Sequence, residues 1–276
     1  MRKLALIVVF LTTASDFFGQ DINVSLMNTT FEIKGKAASG PKGEARFTSG
    51  TVFVMGKPFK NGANGGDPVL ITAAHVLDGI VGDDATLSLR RQDQAGTFTV
   101  VPTQIHIRDH GKNLYVKHPN ADVAAMYVSL PNELDIPLPS LSYLATDDQL
   151  QALEIHPGDE LLCLGFPLDL QQNTFPVIRS GLLASYPLFP SKKAKVFYYN
   201  FHVFPGNSGG PVYFNFMFRR TYGPAHPGTK PVGIIGLVSQ QLNSTLPGYE
   251  KAQLDMAVIV PSSFITETVE MLSDHP

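Results

Sequence analysis

Ser208 lies in the segment PGNSGGP at residues 205–211, where glycines and prolines surround a single hydroxyl. Glycines let the backbone bend so that several N–H groups converge near that hydroxyl, and a tetrahedral oxyanion needs such preorganised donors. The segment therefore predicts a nucleophilic serine beside its own oxyanion site. Considered alone, it is also explained by a glycine-rich surface turn that contains a serine.

Two further segments offer the partners that a serine nucleophile requires. Residues 70–77, LITAAHVL, form an apolar run that reaches His75, and residues 120–126, NADVAAM, place Asp122 before another apolar run. A serine hydroxyl is a weak nucleophile until an imidazole accepts its proton, and the imidazole needs a carboxylate to fix its tautomer. Each residue also has an ordinary explanation, as a structural histidine and as a turn aspartate. Their conjunction with Ser208 favours a catalytic triad.

Together these segments resemble a known family. TAAH at 72–75, DVA at 122–124 and GNSGGP at 206–211 are similar to the three signatures of trypsin-like (chymotrypsin-fold) serine proteases, most closely the bacterial HtrA/Deg-type peptidases. The order His, Asp, Ser matches, and the separations suit a histidine and aspartate in one β-barrel and a serine in a second. The resemblance covers about residues 45 to 272. We expect a peptidase domain without a PDZ domain.

The resemblance implies an all-β fold of two six-stranded antiparallel Greek-key β-barrels with a C-terminal helix. Local patterns agree, because short runs rich in Val, Ile, Phe and Tyr alternate with Gly, Pro and Asn clusters. Residues 262–272 have helical spacing, with Ser262 or Ser263 as the candidate N-cap, and this helix is expected to pack on the second barrel. The expected strands include 48–54, 97–101, 123–130, 158–167, 179–185, 195–201, 232–239 and 255–261.

The chain is divided accordingly into four parts. Residues 1–20 are predicted to be a signal peptide, because a basic start precedes about ten apolar residues, too few for a bilayer span of about 20. An N-terminal extension at 21–44 follows, then a first barrel at 45–138 and a second barrel with the C-terminal helix at 139–276. The proline-rich stretch 132–142 is the expected linker. The predicted location is the periplasm or the exterior of a bacterial cell.

Composition limits the classes of partner. Of 276 residues, 43% are hydrophobic and 16% are charged, and the net charge is −3, as in ordinary globular proteins. Without a long basic run, neither nucleic acid nor an anionic membrane surface is an expected partner. We expect a protein or peptide substrate and neither a cofactor nor a metal, while the oligomeric state stays open. The lone Cys163 is expected to be a small buried side chain.

The resemblance also implies a role for each residue. Ser208 attacks the scissile carbonyl, His75 takes its proton and later protonates the leaving amine, and Asp122 orients His75. The oxyanion hole is assigned to Gly206, Asn207 and Ser208, with the backbone N–H groups of the first and last as the main donors. Relatives activated by cleavage carry an aspartate where this chain has Asn207, so activity should not depend on a freed N-terminus.

Substrate preference leaves two alternatives. In the family, the residue six positions before the serine lies at the base of the pocket for the P1 side chain, the one preceding the scissile bond. Here that residue is His202, which favours an acidic P1 side chain. Val203 and Val238 argue equally for a small aliphatic one. The candidate substrate-binding set also includes Ser239, at the end of the apolar run 232–239.

Other functions are compatible with parts of the sequence. A trypsin fold with a distorted or blocked site would be a catalytically silent binding or scaffold protein. His106 and His110, four residues apart, suggest a metal hydrolase, but a zincin needs Glu after the first His and a helix, and this stretch has neither. A serine esterase is chemically possible, although GNSGG differs from the G-x-S-x-G elbow of α/β-hydrolases.

Overall fold

The computed structural model describes residues 21–40, 43–59, 65–134, 136–167, 174–216, 231–243 and 253–273. The predicted signal peptide lies outside these residues. The fold is mostly β, as expected, with a few short helices. Within the described ranges, no helix combines the length and apolarity needed to cross a bilayer.

A seven-stranded sheet forms the first unit of the fold. Its neighbouring strands pair antiparallel in the order β5-β4-β1-β2-β3-β9-β8, and a separate hairpin, β6 with β7, joins β5 to β8 along the chain. The strands are β1 (Thr30–Ala37), β2 (Arg46–Pro58), β3 (Gly66–Thr72), β4 (Asp84–Gln92), β5 (Phe98–His106), β6 (Arg108–Asp109), β7 (Lys112–Asn113), β8 (Val116–Lys117) and β9 (Ala124–Tyr127).

A closed six-stranded barrel forms the second unit, as predicted. Its strands follow the order β10-β11-β12-β15-β14-β13 around the barrel. They are β10 (Glu160–Gly165), β11 (Val177–Leu183), β12 (Phe197–Asn200), β13 (Pro211–Asn215), β14 (Val232–Asn243) and β15 (Gln253–Pro261). The helices are α1 (Ile22–Thr29), α2 (Ala74–Asp78), α3 (Asp147–Ala152), α4 (Ser191–Ala194) and α5 (Ser262–Glu270), with 3₁₀ turns at Asn132–Leu134 and Leu141–Tyr143.

The first unit differs from the expected closed barrel in one respect. Its edge strands β5 and β8 are not joined by a ladder within the described residues, because residues 107–115 fold back on themselves around the β6–β7 hairpin. Arg108 holds this segment by donating to the carbonyl oxygens of Leu77, Ile80 and Gly82 at 2.9, 2.8 and 2.7 Å. Arg108 thus ties the segment between β5 and β8 to the turn that follows helix α2.

The N-terminal boundary of the first unit also needs correction. Residues 21–44 were expected to be an extension, but β1 lies inside the sheet between β4 and β2.

Arg90 on β4 anchors the N-terminal segment. It donates to the carbonyl oxygens of Met27, Asn28 and Thr30, each at 2.9 Å, and its guanidinium lies 4.5 Å from the ring centre of Phe31. Burial lowers the pKa of Arg90 to about 10. This segment is therefore anchored as part of the fold. The division between units at residue 138 stays a prediction.

Helix α5 forms where the sequence predicted it, with two differences. Its N-cap is Pro261, without a side-chain cap bond, because the Ser262 hydroxyl donates to the Ala145 carbonyl at 2.5 Å and Ser263 bonds to the Ser191 hydroxyl at 2.8 Å. The helix contacts β9 of the first unit as well as β14 and β15. Its apolar face belongs to the core of the first sheet, so α5 packs between the units and not on the second barrel alone.

Candidate active site

His75 is positioned by the junction of strand β3 with helix α2. The end of β3 is fully buried, Ala73 is extended and begins the helix, and Ala73 and Ala74 are both buried. These small side chains let the chain turn tightly against its neighbours. The His75 side chain itself is 50% exposed. A buried strand thus presents an accessible imidazole.

Asp122 lies in the loop that leads into β9. Its Oδ1 accepts the His75 backbone N–H at 3.0 Å, and its Oδ2 lies 2.7 Å from His75 Nδ1. The same Oδ2 accepts the Ser239 hydroxyl at 2.6 Å. Since a carboxylate only accepts hydrogen bonds, the imidazole proton lies on Nδ1 and leaves Nε2 as an acceptor.

The environment of Asp122 favours its ionised form. Burial would raise the pKa of this carboxyl, but hydrogen bonds from His75 and Ser239, together with the charge attraction of His75, outweigh burial and lower the pKa. Asp122 is therefore an anion at neutral pH. It can stabilise the imidazolium that forms when His75 accepts a proton.

Ser208 lies in a turn that needs glycine on both sides. Gly206 and Gly209 have φ values of +99° and +87°, in the left-handed region that L side chains rarely adopt. A Cβ at Gly209 would come within 2.1 Å of both the Thr51 carbonyl oxygen and the Thr72 hydroxyl. The turn carrying Ser208 therefore packs against the strands β2 and β3 that lead to His75.

Hydrogen bonds across the two units fix the same turn. The Thr51 N–H donates to the Ser208 carbonyl at 2.8 Å, and the Thr51 hydroxyl donates to the Gly206 carbonyl at 2.6 Å. On the barrel side, the Gly209 N–H donates to the Val238 carbonyl at 2.7 Å. The backbone around Ser208 is thus held from both units, as a preorganised site requires.

The oxyanion assignment needs one correction. The Asn207 N–H already donates to the Phe204 carbonyl at 3.1 Å, because the chain makes a tight turn over residues 204–207. Asn207 is therefore not an oxyanion donor. The N–H groups of Gly206 and Ser208 have no partner among the residues that the structure describes, so both can donate to a ligand. The Asn207 side chain is buried, and its Nδ2 likewise has no described partner.

The Ser208 hydroxyl donates to the Ser239 carbonyl oxygen at 3.0 Å. Within the described residues it is therefore not bonded to His75. Ser239 contacts both halves of the site, since its own hydroxyl donates to Asp122. Rotation about the Cα–Cβ bond of Ser208 moves its oxygen between staggered positions, so the hydroxyl has a route away from Ser239.

One cavity of about 820 Å³ borders all three residues. The sequence-predicted Val203 and Ser239 line it, but His202 and Val238 do not. Val238 is fully buried in the barrel core. The cavity is lined by His75, Asn120, Ala121, Asp122, Lys195, Val196, Val203, Phe204, Pro205, Ser208, Ser239, Gln240, Gln241, Val258 and Val260.

Comparison with known families agrees with this geometry. The trypsin-like peptidase domain family matches residues 48–215, more than half of the chain, including all three of His75, Asp122 and Ser208. The chain belongs to the trypsin-like peptidase family. Membership implies protein substrates and a peptidase fold.

Among solved structures, the chain matches the MamO protease domain from Magnetospirillum magneticum in its apo form. The two chains share 14% sequence identity with a TM-score of 0.47, over 91% of this chain and 98% of the MamO chain. The comparison with curated proteins finds no match. The family assignment therefore rests on the match over residues 48–215.

In this trypsin-like peptidase domain, the residue predicted for the pocket base lies elsewhere. His202 Nδ1 is 2.5 Å from an oxygen of Asp255, and the His202 ring packs 4.7 Å from the ring of Phe204. Both contacts hold the imidazole outside the cavity lining. The reason for expecting an acidic P1 residue is thereby removed.

Sequence reasoning did not assign the other cavity residues to the substrate site, among them Gln241 and Lys195. Lys195 directly follows the short helix α4. Gln241 follows Ser239 and Gln240 on β14, where the register against β15 shifts between Val238 and Gln240, so all three line the cavity and simple alternation along the strand does not predict it. Neither residue type is distinctive enough to stand out alone.

The histidines of the metal-hydrolase alternative do not share a helix face. His106 ends strand β5 and contacts Asp84 at 2.6 Å, whereas His110 lies in the hairpin turn and contacts Asp109 at 2.6 Å.

Cys163 is buried as predicted, and burial raises the pKa of its thiol to about 12. It is therefore not a reactive nucleophile.

Proposed function

We propose that the chain is an exported serine endopeptidase that hydrolyses peptide bonds through an acyl-enzyme on Ser208. The observation that carries this proposal is the double hydrogen bond from His75 to Asp122, beside the cavity that also contains Ser208. A nucleophile, a base and a group that orients the base are the parts that acyl transfer requires.

The proposed mechanism uses each group in turn. His75 Nε2 accepts the Ser208 proton as the serine oxygen attacks the scissile carbonyl, and Asp122 stabilises the resulting imidazolium. The backbone N–H groups of Gly206 and Ser208 hold the oxyanion. His75 then protonates the leaving amine, and a water molecule attacks the acyl-enzyme by the same route in reverse.

Strand β14 supports an extended peptide as the substrate. Its pairing with β13 ends at Leu237, so Gln240 pairs only with β15 among the described strands. An extended peptide can add to such an edge through main-chain hydrogen bonds, leaving sequence selection to side-chain pockets. This edge lies along the cavity that contains Ser208.

Fluorophosphonate labelling of the mature chain tests the proposal directly. We expect labelling of the wild type and of Ser180→Ala, which removes an exposed serine on β11, but none of Ser208→Ala. Mass spectrometry should locate the label on residue 208. Labelling that persists in Ser208→Ala, or a folded wild type that does not label, would refute the proposal.

The export part of the proposal has its own test: the protein recovered from the periplasm or medium should lack residues 1–20.

One observation favours a second candidate, the catalytically silent scaffold. The Ser208 hydroxyl bonds to the Ser239 carbonyl and not to His75. If that orientation persists in solution, the hydroxyl proton has no base beside it. A folded wild type that binds peptides but resists fluorophosphonate would establish this alternative.

A further inference from the structure

We propose that His118 is a positioning residue for Asp122, and that it holds the loop carrying this carboxylate through a hydrogen bond that only one neutral form of its imidazole can accept. The inference rests on the proposed peptidase function, in which Asp122 orients His75. It concerns a side chain that does not line the cavity containing Ser208 and that no step of the proposed mechanism uses.

The loop that carries Asp122 closes on itself around His118. The His118 N–H donates to the Val123 carbonyl oxygen at 3.0 Å, and the Val123 N–H donates to the Ala121 carbonyl oxygen at 2.9 Å. The Asn120 N–H donates to Nδ1 of the His118 ring at 3.1 Å. One ring nitrogen thus fixes the middle of the loop, two residues before Asp122.

Helix α5 holds the same ring from its other side. His118 Nε2 lies 3.0 Å from Glu267 Oε2, and the imidazole packs edge-on against Phe264, with ring centres 5.0 Å apart and an interplanar angle of 75°. The His118 side chain is only 7% exposed. The orientation of the ring is therefore determined by α5 as well as by its own loop.

These contacts require one protonation state of the ring. Nδ1 accepts the Asn120 N–H and so carries no proton, whereas Nε2 faces a carboxylate and so donates. Hydrogen bonds from Lys192 and His118 lower the pKa of Glu267 against the opposing effect of burial, so this partner is an anion at neutral pH. His118 is therefore the Nε2–H tautomer, the opposite of His75, whose proton lies on Nδ1.

Loss of the Nδ1 acceptor would release the loop next to Asp122. Because Asp122 determines which nitrogen of His75 carries the proton, its displacement lowers the fraction of His75 that can accept the Ser208 proton. A shift of about 1 Å at a catalytic group can reduce the rate on the order of a hundredfold. Since His118 does not line the cavity containing Ser208, the effect should appear in kcat and not in KM.

Two variants of His118 separate its hydrogen bond from its packing. His118→Phe keeps an aromatic ring against Phe264 but cannot accept the Asn120 N–H, so we expect kcat to fall about tenfold or more with little change in KM. His118→Asn loses the ring, but its side-chain oxygen can accept an N–H two residues later, so kcat should stay within about threefold of the wild type.

His106→Asn is the matched control, because His106 is an exposed histidine paired with Asp84 at the end of β5. Its kcat should equal that of the wild type. His118→Leu is the second variant if His118→Phe does not fold. A His118→Phe enzyme as active as the control, or an equal loss in His118→Phe and His118→Asn, would overturn the proposal.

Nitrogen-15 NMR of histidine-labelled Ser208→Ala tests the same point without catalysis, so it distinguishes failure of this inference from failure of the proposed function. The shifts of a neutral imidazole show which ring nitrogen carries the proton. We expect His118 in the Nε2–H form and His75 in the Nδ1–H form. Adding His118→Asn should leave His75 unchanged, whereas adding His118→Phe should give a mixture of its tautomers. A His75 unaffected by His118→Phe, or a His118 in the Nδ1–H form, would rule out the positioning role whether or not the wild type cleaves peptides.

Discussion

Two of the four His–Asp pairs among the described residues look alike but lie in different surroundings. His75 Nδ1 is 2.7 Å from Asp122, and His202 Nδ1 is 2.5 Å from Asp255. By distance alone the second pair is the equal of the first. Yet only His75 and Asp122 border the cavity that contains Ser208.

The surroundings of the carboxylates explain the difference. The Asp122 side chain is 28% exposed and accepts two further donors, from the His75 backbone and the Ser239 hydroxyl, whereas the Asp255 side chain is 71% exposed. An exposed ion pair is screened by water and contributes little. A carboxylate held by three donors fixes its imidazole in one orientation. Proximity of His to Asp is thus common, while fixed orientation beside a nucleophile is specific to one pair.

Removing each carboxylate in turn should give the largest contrast. Asp122→Asn keeps the shape but favours the wrong imidazole tautomer, so we expect a loss of about 10⁴ in kcat. Asp255→Asn, the matched variant of the other pair, should change kcat by no more than about threefold, as expected for an exposed pair. Active-site-titrated kinetics with a peptide substrate measures both. Similar losses in the two variants would mean that the pairs are not functionally distinct.

Deleting the Ser239 hydroxyl should have a smaller effect. Ser239→Ala removes one of the donors to Asp122, and a hydrogen bond to a charged group contributes about 1.5–3 kcal/mol. We expect a fall in kcat/KM of roughly ten- to a hundredfold, since 1.4 kcal/mol corresponds to about a factor of ten.

Ser49→Ala is the control for that measurement, because the buried Ser49 hydroxyl has no partner within the described residues. Its activity should match the wild type. If Ser239→Ala were as active as Ser49→Ala, the third donor would be dispensable and the orientation of His75 would depend on its own two bonds alone.

The three residues that the sequence proposed for catalysis do border one cavity. They could be found because each lies in a segment whose local backbone is dictated by its own residues. Small side chains precede His75, glycines flank Ser208, and an apolar strand follows Asp122. The all-β class was predictable for the same reason, since strand and turn signals alternate along the chain. The closed second barrel was expected from the family resemblance.

Features that depend on distant partners were not predictable. Gln241 reaches Val203, 38 residues away, only because β15 lies between their strands. His202 turns from the cavity because Asp255, 53 residues later, offers a carboxylate. The place of β1 inside the first sheet likewise depends on its pairing with β2 and β4. Such contacts follow from topology, which a local pattern does not contain.

The smallest expected effect is the pH dependence of stability that Asp122 confers. A carboxyl with a lower pKa in the folded state stabilises the fold above its unfolded-state pKa of about 4, and that stabilisation disappears as pH falls through the folded-state pKa. The free energy of unfolding of the wild type relative to Asp122→Asn should therefore be constant near neutral pH and shrink on acidification. Urea unfolding at a series of pH values measures it.

Ser239→Ala sharpens that test because the Ser239 hydroxyl is one of the causes of the lowered pKa of Asp122. Without it, the folded-state pKa rises toward its ordinary value, so the stabilisation by Asp122 should be smaller and be lost at a higher pH than in the wild type. Ser49→Ala should follow the wild-type curve. If all three curves coincided, Ser239 would not favour the ionised form of Asp122, and the distinction between the two His–Asp pairs would rest on their exposure and on their position relative to Ser208.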